Sequence, residues 1–282
     1  MLRCKTRYLS NARSRERRPE LTVGESATPS RRRTLTLVPE GHTIHRLARE
    51  HREELAGHRL RVTSPQRRAE ATARRLSGLV LEDVEPCGKH LFYRFRGGAI
   101  LHVHLGRFGR FLRDLPEPRA TSRLRIEAPP VTLDLVGPTV ARAIDAVEEE
   151  AIRARIGPDP LLVGEADATW LALRRRRLAI GAALLDQRLF AGVGNIFRIE
   201  VLHALGIDPR RTARDLSRQE FEALWQTLTG MMRRSVAAGR IVSGPRGSRW
   251  VYQRETCARC GDSVDAYVLG GRRAYSCPTC QI

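Results

Sequence analysis

Lysine is almost missing from this chain. Only Lys5 and Lys89 among its 50 basic residues are lysines, which leaves 48 arginines. A GC-rich genome explains such a bias most simply. It makes Lys89 the only lysine after position 5. Long apolar runs are missing too. No uninterrupted stretch of about 18 apolar residues occurs, which excludes a membrane-spanning helix. Cysteine is sparse, six in 282 residues, with four crowded at the C-terminus. That excludes a secreted disulfide scaffold and points to a reducing compartment with a metal site. Acidic residues are outnumbered, 31 against 50, for a net charge of +19. The partner such a charge implies is a polyanion, with DNA or RNA the default. The length exceeds the usual single domain of roughly 100–200 residues, so one large domain or two smaller ones would fit. The 41% apolar share suffices for a sizeable core.

The chain is uneven along its length. Residues 1–38 hold 10 Lys/Arg against three glutamates and show no helical or strand period. They read as a basic tail adding non-specific phosphate affinity. Glu16, Glu20 and Glu25 count against a transit peptide. From Val38 onward the pattern is organised. Ile44, Leu47, Ala48 and Leu55 fall near helical spacing. Residues 58–136 carry short alternating runs, among them 59–62, 91–95 and 100–105. Gly97-Gly98 reads as a hairpin turn between the last two. Several such strands predict an antiparallel sandwich. A helix is expected at about 142–156, followed by a boundary at Gly157-Pro158-Asp159-Pro160. Residues 161–239 read as helical. Ser217 with Glu220 forms a capping box, and Phe221, Leu224, Trp225, Leu228, Met231 and Met232 follow at core spacing. Residues 240–250 read as a linker.

Two motifs carry chemistry by themselves. Cys257 and Cys260 are followed, sixteen residues later, by Cys277 and Cys280. Two CxxC pairs at this separation match a tetrahedral, four-thiolate zinc site that is closed and structural. The segment between them reads as a two-stranded hairpin turning at Gly270-Gly271, with Arg272 and Arg273 at its tip. Those arginines are either solvated or delivered to phosphates. Cys4 and Cys87 stand outside both pairs and read as incidental. The second motif is Leu184-Leu185-Asp186-Gln187, then Phe190-Ala191-Gly192-Val193-Gly194-Asn195-Ile196-Phe197. A helix ends, a turn with Gly192 and Gly194 intervenes, and a helix begins at Asn195. Glycines and a fresh helix start offer backbone N–H groups to an anion. Asn195 either caps that helix or turns its amide to phosphate.

A third run, Val38-Pro39-Glu40-Gly41-His42-Thr43-Ile44-His45-Arg46, is alone only a turn and a helix start. Together with Gly88-Lys89-His90-Leu91-Phe92, residues 184–195 and the cysteine finger, it resembles the formamidopyrimidine-DNA glycosylase/endonuclease VIII family of base-excision repair enzymes. The resemblance covers residues 39–282. The Pro39-Glu40-Gly41-His42 start and His104-Leu105-Gly106-Arg107-Phe108-Gly109 look more like the endonuclease VIII branch.

The resemblance implies an α+β fold. An N-terminal antiparallel β-sandwich with flanking helices occupies 39–157. A helical domain with a helix–two-turn–helix occupies 158–245, and a β-hairpin zinc finger 246–282. It implies a bifunctional DNA glycosylase and abasic-site lyase acting on damaged DNA, oxidised pyrimidines first. The expected enzyme is a cytoplasmic, nucleoid-associated monomer holding one structural Zn2+ and no soluble cofactor. Pro39 would form a Schiff base and drive β,δ-elimination. An amide nitrogen cannot attack, so Pro39 must be N-terminal. Val38, read as a GTG start, would make 1–38 a mis-annotated extension. Glu40 would relay protons. Lys89, Asn195 and Arg272 would grip phosphates, with Gly192 and Gly194 in the clamp. Arg107 and Phe108 would fill the gap left by the extruded base, unless Phe108 lies in the sheet core. Many relatives carry glutamate where this chain has Thr43. Three alternatives stay open: a damaged-DNA binder if Pro39 is blocked, an oxidised-purine glycosylase, and a zinc-ribbon transcription or ribosome-associated factor.

Overall fold

The computed structural model describes residues 39–162, 166–244 and 247–282. The basic tail, Cys4, Lys5 and the Val38 start lie outside the described residues.

Helix α1 (Gly41–Leu55) follows Glu40 directly and buries Ile44, Leu47, Ala48 and Leu55, the stripe read from the sequence. Short strand β1 (Arg61–Thr63) and helix α2 (Glu70–Leu76) come next. Then β2 (Leu81–Cys87), β3 (His90–Phe95) and β4 (Ile100–His104) form an antiparallel meander. Gly97 and Gly98, at φ 90° and 83°, turn β3 into β4. Only glycine adopts two such residues in succession cheaply. Strands β5 (Arg110–Arg113), β6 (Ser122–Ala128), β7 (Val131–Val136) and β8 (Val140–Ile144) complete two four-stranded sheets, ordered β2-β3-β4-β8 and β1-β6-β7-β5. Leu91, Tyr93, Leu101 and Val103 of the first sheet face Leu124, Ile126, Leu133 and Leu135 of the second. That is the sandwich core. Phe92 points the other way into a satellite core with Ile100 and Ile144, so β3 is apolar on both faces.

The helix expected at 142–156 is corrected. Residues 140–144 pair with β4, and only Ala146–Arg153 is helical (α3). Asp145 caps it in a reciprocal capping box with Glu148, which sets where the strand ends and the helix begins. The helical reading of 161–239 holds only in pieces. They are α4 (Ala166–Arg174), the single turn α5 (Ile180–Ala183), α6 (Asn195–Leu205) and α7 (Arg218–Ala238). Ser217 and Glu220 form the expected capping box, and Gly239 ends α7 at φ 65°. Phe221, Leu224, Leu228, Met231 and Met232 of α7 pack on Phe190, Phe197 and Val201, while Trp225 is half-buried at the edge.

The segment read as a linker is tied down at its far end. Glu200, fully buried on α6, accepts the backbone N–H groups of Trp250, Val251 and Tyr252 and the Ser243 hydroxyl. A buried carboxylate needs that many donors. Last, β9 (Asp265–Leu269) and β10 (Arg272–Ser276) pair antiparallel about Gly270 and Gly271, at φ 60° and 71°. Two positive φ values are what a two-residue type I′ hairpin turn requires. Among the described residues no helix is long and apolar enough to cross a membrane.

Candidate active site and metal centre

The start of α1, the β2–β3 turn, the β4–β5 loop, the turn before α6 and the tip of the β9–β10 hairpin converge on one cleft. Its volume is about 250 Å3, and its lining includes Pro39, Glu40, Lys89, Arg107, Gly194, Asn195 and Arg272. Residues up to 233 positions apart in sequence thus share one hollow.

Glu40 is 1% exposed. It stands before α1, yet its side chain reaches the start of α6. There Oε1 accepts the Ile196 N–H at 2.9 Å and Oε2 the Phe197 N–H at 3.4 Å. The first N–H groups of a helix have no partner within it, and its dipole favours an anion there. Burial pushes the Glu40 carboxyl above its ordinary range, while Lys89 and the α6 N–H groups pull the other way. Burial wins.

Lys89 follows Gly88, whose φ of +57° makes the sharp turn into β3. Its Nζ donates to the Val193 carbonyl at 2.7 Å. Burial pulls its pKa down to about 8. Glu40 opposes that shift, and the Arg272 charge adds to it.

Asn195 is the first residue of α6, not its cap. Gly194 takes the N-cap position, and the Asn195 Nδ2 donates to the Arg273 carbonyl at 2.9 Å. The reading of the glycine turn as a set of open donors is also corrected. The Gly192 N–H donates to Gln187 Oε1 at 3.1 Å, and the Gly194 N–H faces Glu40. The glycines serve close approach instead. The Gly41 N–H donates to the Gly192 carbonyl at 2.7 Å, and a Cβ on Gly192 would meet the Gly41 Cα at 3.1 Å. A Cβ on Gly194 would overlap the Glu40 carboxyl.

Arg107 lines the cleft. Phe108 beside it stands at the rim, 67% exposed, with the Arg107 guanidinium 5.5 Å from its ring centre. Phe108 is therefore not a core residue. Four lining residues were not read as site residues: His104, Gly106, Leu185 and Gln187. The last two stood inside a motif already singled out, so proximity to the glycine turn was a usable signal. His104 gave none. The His104 ring packs tilted against His90, which stacks on His102, and burial together with Lys89 lowers the His104 pKa.

At the finger, the sulfurs of Cys257, Cys260, Cys277 and Cys280 all lie within 4.8 Å of one another. Cys257 and Cys280 are 3.9 Å apart, Cys260 and Cys277 3.4 Å. Sulfurs at about 2.3 Å from a tetrahedral ion would stand about 3.8 Å apart, so the four fit around one metal. The Arg259 N–H and His203 Nε2 approach the Cys257 sulfur at 3.4 and 3.1 Å, a polar surround suited to thiolate. Cys87 is buried in the sandwich satellite core, away from this group.

Comparison with known proteins gives a consistent result. Residues 38–147 match the formamidopyrimidine-DNA glycosylase N-terminal domain, and residues 156–245 the formamidopyrimidine-DNA glycosylase H2TH domain. The chain is 39% identical to Endonuclease 8 1 of Mycobacterium tuberculosis over 267 residues, covering 86% of this chain and all of that protein. It is 30% identical to formamidopyrimidine-DNA glycosylase of Desulfitobacterium hafniense, over 73% of this chain and 83% of the relative. The crystal structure of MutM (Fpg) from Thermus thermophilus superposes with a TM-score of 0.74 at 30% identity, covering 86% of this chain and 98% of that one.

Proposed function

The chain belongs to the formamidopyrimidine-DNA glycosylase/endonuclease VIII family of DNA glycosylases and abasic-site lyases, and on that premise we propose that it excises oxidised bases, pyrimidines first, through a Schiff base on Pro39. The convergence of Pro39, Glu40, Lys89, Asn195 and Arg272 on one cleft carries this reading. A terminal proline is a secondary amine with a pKa near about 8, hence nucleophilic at neutral pH. Its nitrogen attacks C1′ of a flipped-out nucleotide as the glycosidic bond breaks and the base leaves with a proton. The C1′–O4′ bond then breaks, O4′ taking a proton, and leaves a ring-opened iminium that withdraws electrons from C2′. Loss of a C2′ proton then expels the 3′ phosphate, and a second elimination expels the 5′ phosphate. Glu40, its carboxyl raised above the ordinary range by burial, relays protons during base loss and sugar-ring opening.

Lys89 and Arg272 hold the phosphates beside the lesion, with Asn195 in the same cleft. Arg107 and Phe108 occupy the gap in the duplex, whose opening costs a few kcal/mol. Gly194 shapes the site by leaving room for Glu40, and Gly192 by admitting α1. The four cysteines hold one structural Zn2+, which supplies folding energy to the finger and no chemistry. We assign 39–157 to catalysis, 158–245 and 246–282 to DNA binding, and the acting form to a monomer at the nucleoid. The higher identity to an endonuclease 8 than to a formamidopyrimidine enzyme supports the pyrimidine preference. Oxidised purines are the second reading, favoured by the match of 38–147 to the formamidopyrimidine model.

Borohydride trapping on abasic duplex DNA tests the nucleophile. A chain started by Met at position 38, and so processed to Pro39, is compared with the full chain. A covalent adduct from the short form alone is the expected result. No adduct from either removes the lyase reading and leaves a damaged-DNA binder.

A further inference from the structure

Arg198 on α6 heads the fully buried side chains by size and is 1% exposed. Among the described residues no carboxylate lies within ion-pair distance of it. A buried cation without a counter-ion is costly unless its donors are met. Here carbonyls meet the two Nη groups, while among the described residues the Nε–H has no partner. Nη1 donates to Gly181 at 3.1 Å and Leu269 at 2.9 Å, while Nη2 donates to Arg273 at 3.2 Å and Arg272 at 3.4 Å. Leu269 and Arg272 flank the Gly270-Gly271 turn of the finger. The turn lies flush on α5, where a Cβ on Gly270 would meet Ala182 at 3.1 Å. The guanidinium fork thus closes the base of the turn and ties it to α5 and α6. A planar fork can hold several carbonyls in one geometry where an ammonium cannot.

The same helix begins at the cleft. Its first N–H groups hold Glu40, and its Asn195 amide holds the Arg273 carbonyl. One rigid element therefore fixes both the catalytic carboxyl and the finger tip. We infer that Arg198 is a positioning residue that holds the finger's Arg272 over the cleft and so sets affinity for the phosphate beside the lesion. The inference rests on the cleft being the lesion site.

Full-length R198M, R198K, R272A and R198M/R272A proteins test it. The probe is a duplex carrying a tetrahydrofuran abasic analogue, with bound metal and amide exchange at 269–273 measured alongside. R198M should keep its metal, exchange faster at 269–273 and weaken Kd about tenfold, the worth of one charged hydrogen bond. The double variant should bind no more weakly than R272A, because both changes remove the same contact. R198K, with charge but no fork, should fall between R198M and wild type. Wild-type Kd in R198M, or additive losses in the double variant, overturns the inference. If R198M fails to fold, a folded, metal-loaded R198K with wild-type Kd overturns it equally. If R272A itself binds as wild type, the reading of the cleft fails instead, and the exchange at 269–273 still reports whether Arg198 pins the turn.

Discussion

Gly194→Ala perturbs the site through one methyl group. Gly194 lies at φ −121° and ψ −167°, an extended conformation open to any residue, so the backbone adds no strain. The only obstacle is the Glu40 carboxyl, which the new Cβ would overlap at its Cγ, Cδ and Oε1. Glu40 must leave the start of α6, giving up the Ile196 and Phe197 N–H groups. Hydrogen bonds to a charged group are worth about 1.5–3 kcal/mol each. Partial relocation of the carboxyl recovers some of that, for a net loss of about 3 kcal/mol. In a chain of this size the loss lowers Tm by about 6–12 °C. The rate should fall further than the stability, because Glu40 adjoins Pro39 and a misplacement of about 1 Å can cost a hundredfold. Single-turnover borohydride trapping and thermal melting read both effects. A double-mutant cycle with Glu40→Ala isolates the cause, since the methyl should destabilise little once the carboxyl is gone. Wild-type trapping by G194A, or an undiminished Tm loss in the E40A background, refutes the reasoning.

Other outcomes follow from the same geometry. Lys89, with its pKa lowered to about 8, is an ammonium below that value and loses its charge above it. Affinity for an abasic-site duplex should therefore fall as pH rises from about 7 to about 9, and K89R, which stays charged, should flatten that fall. A flat wild-type profile would refute it. Stripping the metal with a chelator should free the finger tip and remove Arg272 from the cleft, so metal release and loss of DNA affinity should coincide in one titration. Phe108→Ala alters an exposed side chain and should leave folding stability within about 0.5 kcal/mol of wild type, yet slow excision from duplex more than from single-stranded substrate. Equal slowing on both substrates would mean that Phe108 does not occupy the opened stack.

Much of the fold was legible because local rules govern it. Gly97-Gly98 and Gly270-Gly271 announce hairpins, since positive φ at two successive residues selects glycine. Ser217 and Glu220 announce the start of α7 through reciprocal hydrogen bonds three residues apart. The error at 142–156 arose where pattern fails. Residues 140–144 carry no strong period, and pairing with β4 decides their state. The broken helices of 161–239 have the same origin: short turns such as α5 form because neighbours bury them, not because their residues demand it.

By itself the sequence determined what could be read over a few residues. The basic charge names a polyanion. The two CxxC pairs name a metal ion, because ligand type and spacing are local. Pro39 and Glu40 are adjacent in the chain and needed no folding to be associated. Tertiary structure alone decided how these parts act. It placed Glu40 at the head of a helix 155 residues away, committed the glycine-turn N–H groups inside the protein, and turned Asn195 from a helix cap into a tie to the finger. It also buried Arg198 among carbonyls from three segments. The reason is physical. A buried charge or donor takes whatever partner packing brings near, and that partner is set by the convergence of distant segments, which no local period encodes.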